Sequence, residues 1–183
     1  MIERRLLLFM SAVALATAFA ARAADPPPKA ASPPSAFVAT NLALYLPDQV
    51  MLERGPPTEV LAPYVRALIA AAEKAVNAAP PGRGVSGAFV VALKAPGRSR
   101  VWIMVGDPAR QAEFTALLKG RLEAVPAPGG VKDNNAFAIA FNIWGGGTPL
   151  ASTSLPVPDE WRRALPKGPV NLPDDALRVV WPN

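Results

Sequence analysis

From residue 58 onward the apolar and polar positions recur with periods that define elements. Across "TEVLAPYVRALIAAAEKAVNA", residues 58–78, Leu61, Val65, Leu68, Ile69, Ala72 and Val76 share one stripe, with Arg66, Glu73 and Lys74 away from it. That spacing predicts an amphipathic helix. Pro63 is tolerated only in a first turn, so the helix proper is expected to begin near it. The period then changes to two. Phe89, Val91 and Leu93 alternate with Ala88, Val90 and Ala92 in "GAFVVALK", and Val101, Ile103 and Val105 alternate with Trp102 and Met104. These are two strands joined by the turn pair Pro96-Gly97. Asp107-Pro108 signals a helix start, and the helix is expected to run to about Ala124 with Phe114, Leu117, Leu118 and Leu122 inward. After the loop "VPAPGGVKDNN" comes a third strand, "AFAIAFNIW". Phe137, Ile139, Phe141 and Ile143 form one face, and Ala136, Ala138, Ala140, Asn142 and Trp144 the other. Gly145, Gly146 and Gly147 stop it.

The predicted order is helix-strand-strand-helix-strand. A helix between the second and third strands returns the chain in its original direction. The third strand then runs parallel to the second and antiparallel to the first, which lies between them in a right-handed split β-α-β. The predicted fold class is α+β: two layers, a three-stranded antiparallel/mixed sheet, and both helices on the face bearing the large residues. The second and third strands are expected to be edges. The opposite face is small and apolar, so packing against it by the tail or the N-terminal apolar segment is favoured over a partner.

The flanks differ in composition. "MIERRLLLFMSAVALATAFAARA" has a short basic start, an apolar run from Leu6 to Ala21, and the small-x-small pattern Ala21-Arg22-Ala23. It reads as a secretory signal, residues 1–23, cleaved after Ala23, which implies export to the periplasm; membrane contact is expected only if cleavage fails. Residues 24–57 open with "ADPPPKAASPPS", whose stretch from Asp25 is a stiff spacer, and are assigned to a proline-rich linker, although "AFVATNLALYLPDQVML" within them is apolar. The folded domain is expected over 58–147. A proline-dotted tail fills 148–183, with "DEWRRALP" as one short helix.

The 183 residues include no Cys and no His. Disulfides are therefore excluded, and the commonest general base and metal ligand is missing. No cofactor or metal is expected. The net charge is +5, and removal of Arg4, Arg5 and Arg22 with Glu3 leaves +3, too mild to indicate nucleic acid.

The stretch "GVSGAFVVALKAPGRSRVWIMVGDPARQAEFTALLKGRLEAVPAPGG", followed by "FAIAFNIW", resembles the C-terminal domain of TonB and its relatives, TolA among them. Gly87, Gly97, Gly106, Asp107, Leu117, Leu118, Pro126 and Pro128 fall at matching points, and a proline-rich segment precedes the domain. The resemblance covers about half of the chain. It implies a non-enzymatic module that holds a protein partner of the bacterial envelope by strand addition, with the small sheet face as the alternative contact. Three departures stand out: the N-terminal helix that TonB keeps as an anchor is here expected to be removed, the Tyr-Pro pair before the hairpin is absent although Pro63-Tyr64 appears in reversed order, and the tail after Gly147 is an extra. The fold and the binding mode carry over; energy transduction does not.

Three sets of residues are candidates for function. The third strand, Ala136, Phe137, Ala138, Ile139, Ala140, Phe141 and Asn142, is the expected edge for a partner strand; the tail is the alternative cover for that edge. Arg83, Lys94, Arg98 and Arg100 are a candidate surface for anionic headgroups or acidic polymers. An enzyme using carboxylates without His is a further alternative. For it the chain offers only the loop cluster Lys132, Asp133, Asn134 and Asn135, the acidic pairs Asp159-Glu160 and Asp174-Asp175, and Ser86, Ser99, Ser152 and Ser154 without a motif.

Overall fold

The computed structural model describes residues 36–108, 111–150, 155–165, 167 and 171–182. The proposed signal, its cleavage point, the spacer "DPPPKAASPPS", Ser152 and Ser154 lie outside them. The elements are β1 (Phe37–Leu44), α1 (Asp48–Arg54), α2 (Thr58–Ala78), β2 (Val85–Lys94), β3 (Arg98–Val105), α3 (Ala112–Glu123), β4 (Asn135–Ile143), α4 (Asp159–Ala164) and α5 (Asp174–Val180). The class is α+β, around one antiparallel-paired sheet of order β1-β4-β2-β3.

The core of the expected topology is present. β2 lies between β3 and β4 and pairs antiparallel with both. Two features differ. The sheet has four strands, because residues 37–44 pair with β4, and the segment assigned to the linker is part of the fold from there onward. Helices also cover both faces, so there are three layers. The stripe of α2 and the inner face of α3 pack on Phe89, Val91, Leu93, Phe137, Ile139 and Phe141. On the other face, α4, α5 and the chain leading into them pack on Val90, Ala92, Trp102, Ala136 and Ala138. Two buried apolar layers, at about 25 cal/mol per Å² removed from water, carry the stability of a chain without cross-links.

Local chemistry explains the element ends. α2 begins at Thr58, earlier than Pro63 suggested. Pro57 caps it and its carbonyl accepts the N–H groups of Val60 and Leu61, both at 2.9 Å. Pro63 removes one i→i−4 bond close to the start, and burial of Tyr64, Leu68, Ala72 and Val76 outweighs that loss. α3 begins at Ala112, later than Asp107-Pro108 suggested, and the Gln111 N–H just before it donates to the Pro108 carbonyl at 3.3 Å. Of its inner stripe Leu118 and Leu122 are buried, while Leu117 is exposed. Gly97, at φ 111°, closes the β2–β3 turn in a backbone region that favours glycine. At Gly87 an added Cβ would lie 2.7 Å from the Phe141 ring, so its lack of a side chain lets that ring reach the core.

Candidate functional site

β4 is not an edge. Its backbone alternates between two neighbours: Ala136, Ala138, Ala140 and Asn142 face β1, and Phe137, Ile139 and Phe141 face β2. The bond from the Tyr45 N–H to the Ala136 carbonyl (3.2 Å) and that from the Trp144 N–H to the Ala36 carbonyl (2.8 Å) bracket the β1 side. Strand addition at residues 136–142 is therefore excluded. Neither the tail nor a partner covers this margin; β1 does. The signal for β1 was weak because a bulge between Ala39 and Asn41 interrupts the alternation.

The small second face is closed within the chain, as favoured from the sequence. Trp161 is fully buried against it, with its ring 5.2 Å from that of Trp102 and 5.4 Å from that of Tyr45. Alanines at 136 and 138 leave room for this indole, which large residues there would displace. The Tyr45 hydroxyl donates to the Pro156 carbonyl and ties the strap of residues 155–158 to the sheet. Burial pushes the Tyr45 and Tyr64 hydroxyls above the ordinary tyrosine value.

The four basic residues do not form one surface. Arg83 lies at the opposite end of β2, in a groove with Trp144 and Phe114. Lys94 is 4% exposed and donates to the Trp181 carbonyl; burial and the neighbouring Arg98 hold its ammonium below the usual lysine range. Lys94 and Arg98 both lie over the Trp181 ring, 5.5 and 5.4 Å from its centroid. Arg100 lies over Trp102, donates to the Val180 carbonyl at 2.6 Å, and pairs with Glu160 at 3.1 Å. Packing of α5 on the sheet converts these charges from an open patch into structural contacts.

Of the residues weighed for catalysis, Lys132, Asp133, Asn134 and Asp174 share one groove, with Arg54 between the two carboxylates. Asn135 is buried on β4 and donates to the Met51 carbonyl at 3.5 Å, whereas Asp133 faces Arg54 at 3.9 Å. Asp174 pairs with the same Arg54 at 2.7 Å, and that partner raises the guanidinium pKa. Ser86 donates to Asn142 Oδ1 at 2.8 Å and accepts the Gly147 N–H at 3.0 Å. Among the described residues no group of three acidic, His or Cys side chains is placed to hold a metal ion.

The outer margins of the sheet are those of β1 and β3, and the β3 margin runs along a groove. In β3 the bond from the Gly106 N–H to the Ser86 carbonyl (3.4 Å) marks the even positions as facing β2. The odd positions Val101, Ile103 and Val105 then direct their N–H and C=O groups away from the sheet. The contact of the Val101 N–H with Glu123 Oε1, at 3.4 Å, is consistent with this. No described strand pairs with that side. A groove of about 1070 Å³ runs beside it, lined by Val101–Val105, by Ala112, Thr115, Ala116 and Lys119 of α3, and by residues 155–160 with Arg162. The sequence placed β3 at an edge; the walls around that edge come from elements distant in the chain.

No family model, curated protein or solved structure matches the chain.

Proposed function

We propose that the protein is an exported, non-enzymatic binding module that captures an extended segment of a protein partner in the bacterial envelope along the outer side of β3. The observation that carries this reading is the row of outward backbone groups at Ile103 and Val105, set inside a groove rather than on an open surface. Main-chain hydrogen bonds to such a row supply affinity, and the walls supply selection. The resemblance to the TonB C-terminal domain supports the same mode, now on a different strand from the one first expected. Export rests on the leader: mature protein should begin at Ala24, and N-terminal sequencing checks it.

Hydrogen exchange followed by NMR tests the margin directly. The Ile103 and Val105 amides should exchange orders of magnitude faster than those of Phe89 and Val91, and should become protected when a strand-forming probe, acetyl-Thr-Thr-Val-Thr-Val-Thr-Thr-amide, is added. Ile103→Pro removes an outward N–H and leaves the β2–β3 ladder intact, since proline is tolerated where the N–H faces away from the sheet. The variant should fold and lose the probe. Slow exchange of both amides in the free protein, or undiminished capture by Ile103→Pro, rejects the proposal.

A further inference from the structure

The groove's walls decide what kind of strand it accepts, an inference that rests on the strand-addition reading above. A segment paired to β3 would lie between two layers. On one face it meets α3, whose groove side is Ala112, Thr115 and Ala116; on the other it meets the strap at Leu155 and Val157. The two walls belong to the two separate apolar clusters of the fold, α3 to one and the strap to the other. A strand covered on both faces has no wet side, and such strands are near-continuous apolar runs rather than alternating ones.

Electrostatics points the same way. The charged side chains described on the groove's lining are Lys119, Asp159, Glu160 and Arg162. Each already has an opposite partner: Lys119 with Glu123 at 3.7 Å, Asp159 with Arg162, and Glu160 with Arg100 at 3.1 Å. Glu160 also accepts the Trp102 indole N–H at 2.6 Å. The lining thus offers no uncompensated charge to a ligand, and a charged residue entering between the walls would lose water without gaining a counter-ion.

We infer that the partner segment is an uncharged, near-continuous apolar run, rich in β-branched residues. About five of its residues match Val101–Val105, a span of about 17 Å at the usual strand rise. Glu123 already holds one backbone donor of that row, at Val101, so pairing centres on Ile103 and Val105.

Calorimetry on the mature chain distinguishes this rule from the strand-addition reading itself. The probes are acetyl-Gly-Thr-Val-Ile-Val-Thr-Gly-amide and two relatives carrying Lys or Glu at every second position. The neutral run should bind at least about ten-fold tighter than either charged relative, and its affinity should change by less than about two-fold between about 50 and about 500 mM salt. Ala116→Glu, an exposed helix position in the α3 wall, should weaken the neutral run by about ten-fold without unfolding the protein. If a charged relative binds as well as the run, while Ile103→Pro still abolishes binding, the margin is right and the selection rule is wrong. Unchanged affinity in Ala116→Glu also overturns the rule. Failure of all three peptides to bind, or binding that survives Ile103→Pro, removes the strand-addition reading together with it.

Discussion

The two faces of the sheet reach the same burial by opposite means. On the α2/α3 face the strands supply the bulk in Phe89, Phe137 and Phe141: the rings of Phe89 and Phe141 stack with centroids 6.1 Å apart, and Phe37 joins from β1 at 5.6 Å from Phe141. On the α4/α5 face the strands supply a floor of Ala92, Ala136 and Ala138, and the covering layer supplies the bulk in Trp161 and Leu177. Close packing needs the summed volume across a layer, not large residues on both sides of it. A run of alanines on a strand is therefore a seat for something large as readily as it is a solvated surface.

Removing the bulk tests the second face most severely. Trp161→Ala should cost about 3–5 kcal/mol, because it empties the seat and its neighbours cannot collapse onto alanine. Denaturation followed separately by tryptophan fluorescence and by far-UV circular dichroism should then lose coincidence, as the α4/α5 layer loosens before the α2/α3 core. Coincident transitions would show that the two faces form one cooperative unit. Filling the floor is the converse experiment. Ala138→Leu should cost about 1–3 kcal/mol by overpacking against the covering layer, whereas enlarging a solvated alanine would be nearly neutral; a denaturant midpoint shift reads it.

The smallest effect concerns the link between sheet and strap. Tyr45→Phe removes the hydroxyl that donates to Pro156 and should cost about 1 kcal/mol near neutral pH. Its pH dependence sharpens the assignment. The folded pKa of Tyr45 is raised by burial, so the unfolded chain releases its proton first as pH passes the ordinary value of 10.0. Stability should fall above that pH, and less steeply in Tyr45→Phe. Tyr64, raised by burial as well, keeps the remaining slope. Equal slopes in the two proteins would show that Tyr45 is not held away from water.

These contrasts explain what could be read before the structure was known. The α2/α3 face was legible because its large residues alternate within single strands, as Phe137, Ile139 and Phe141 do. β2, β3 and β4, the helix 58–78 and the central place of β2 followed from that alternation and from connection geometry. β1 was hidden by its bulge near Thr40. α5 was hidden by length, since seven residues are too few to show a helical period and gain their stability from packing Leu177 onto the sheet. The site suffered most. The backbone row on β3 followed from its place in the order, but the walls beside it come from segments distant in the chain, and one of the ion pairs that neutralise them, Arg100 with Glu160, joins residues 60 apart.

Period and turn chemistry are local quantities, so the sequence by itself determined the strands with strong alternation, the long helix, the absence of cross-links and the lack of any histidine for chemistry. Which margin of the sheet is sealed, which basic residues are neutralised and what fills the alanine floor are differences between competing long-range contacts of similar strength. Only the tertiary structure decides among those, because each depends on which distant segment arrives at a given surface.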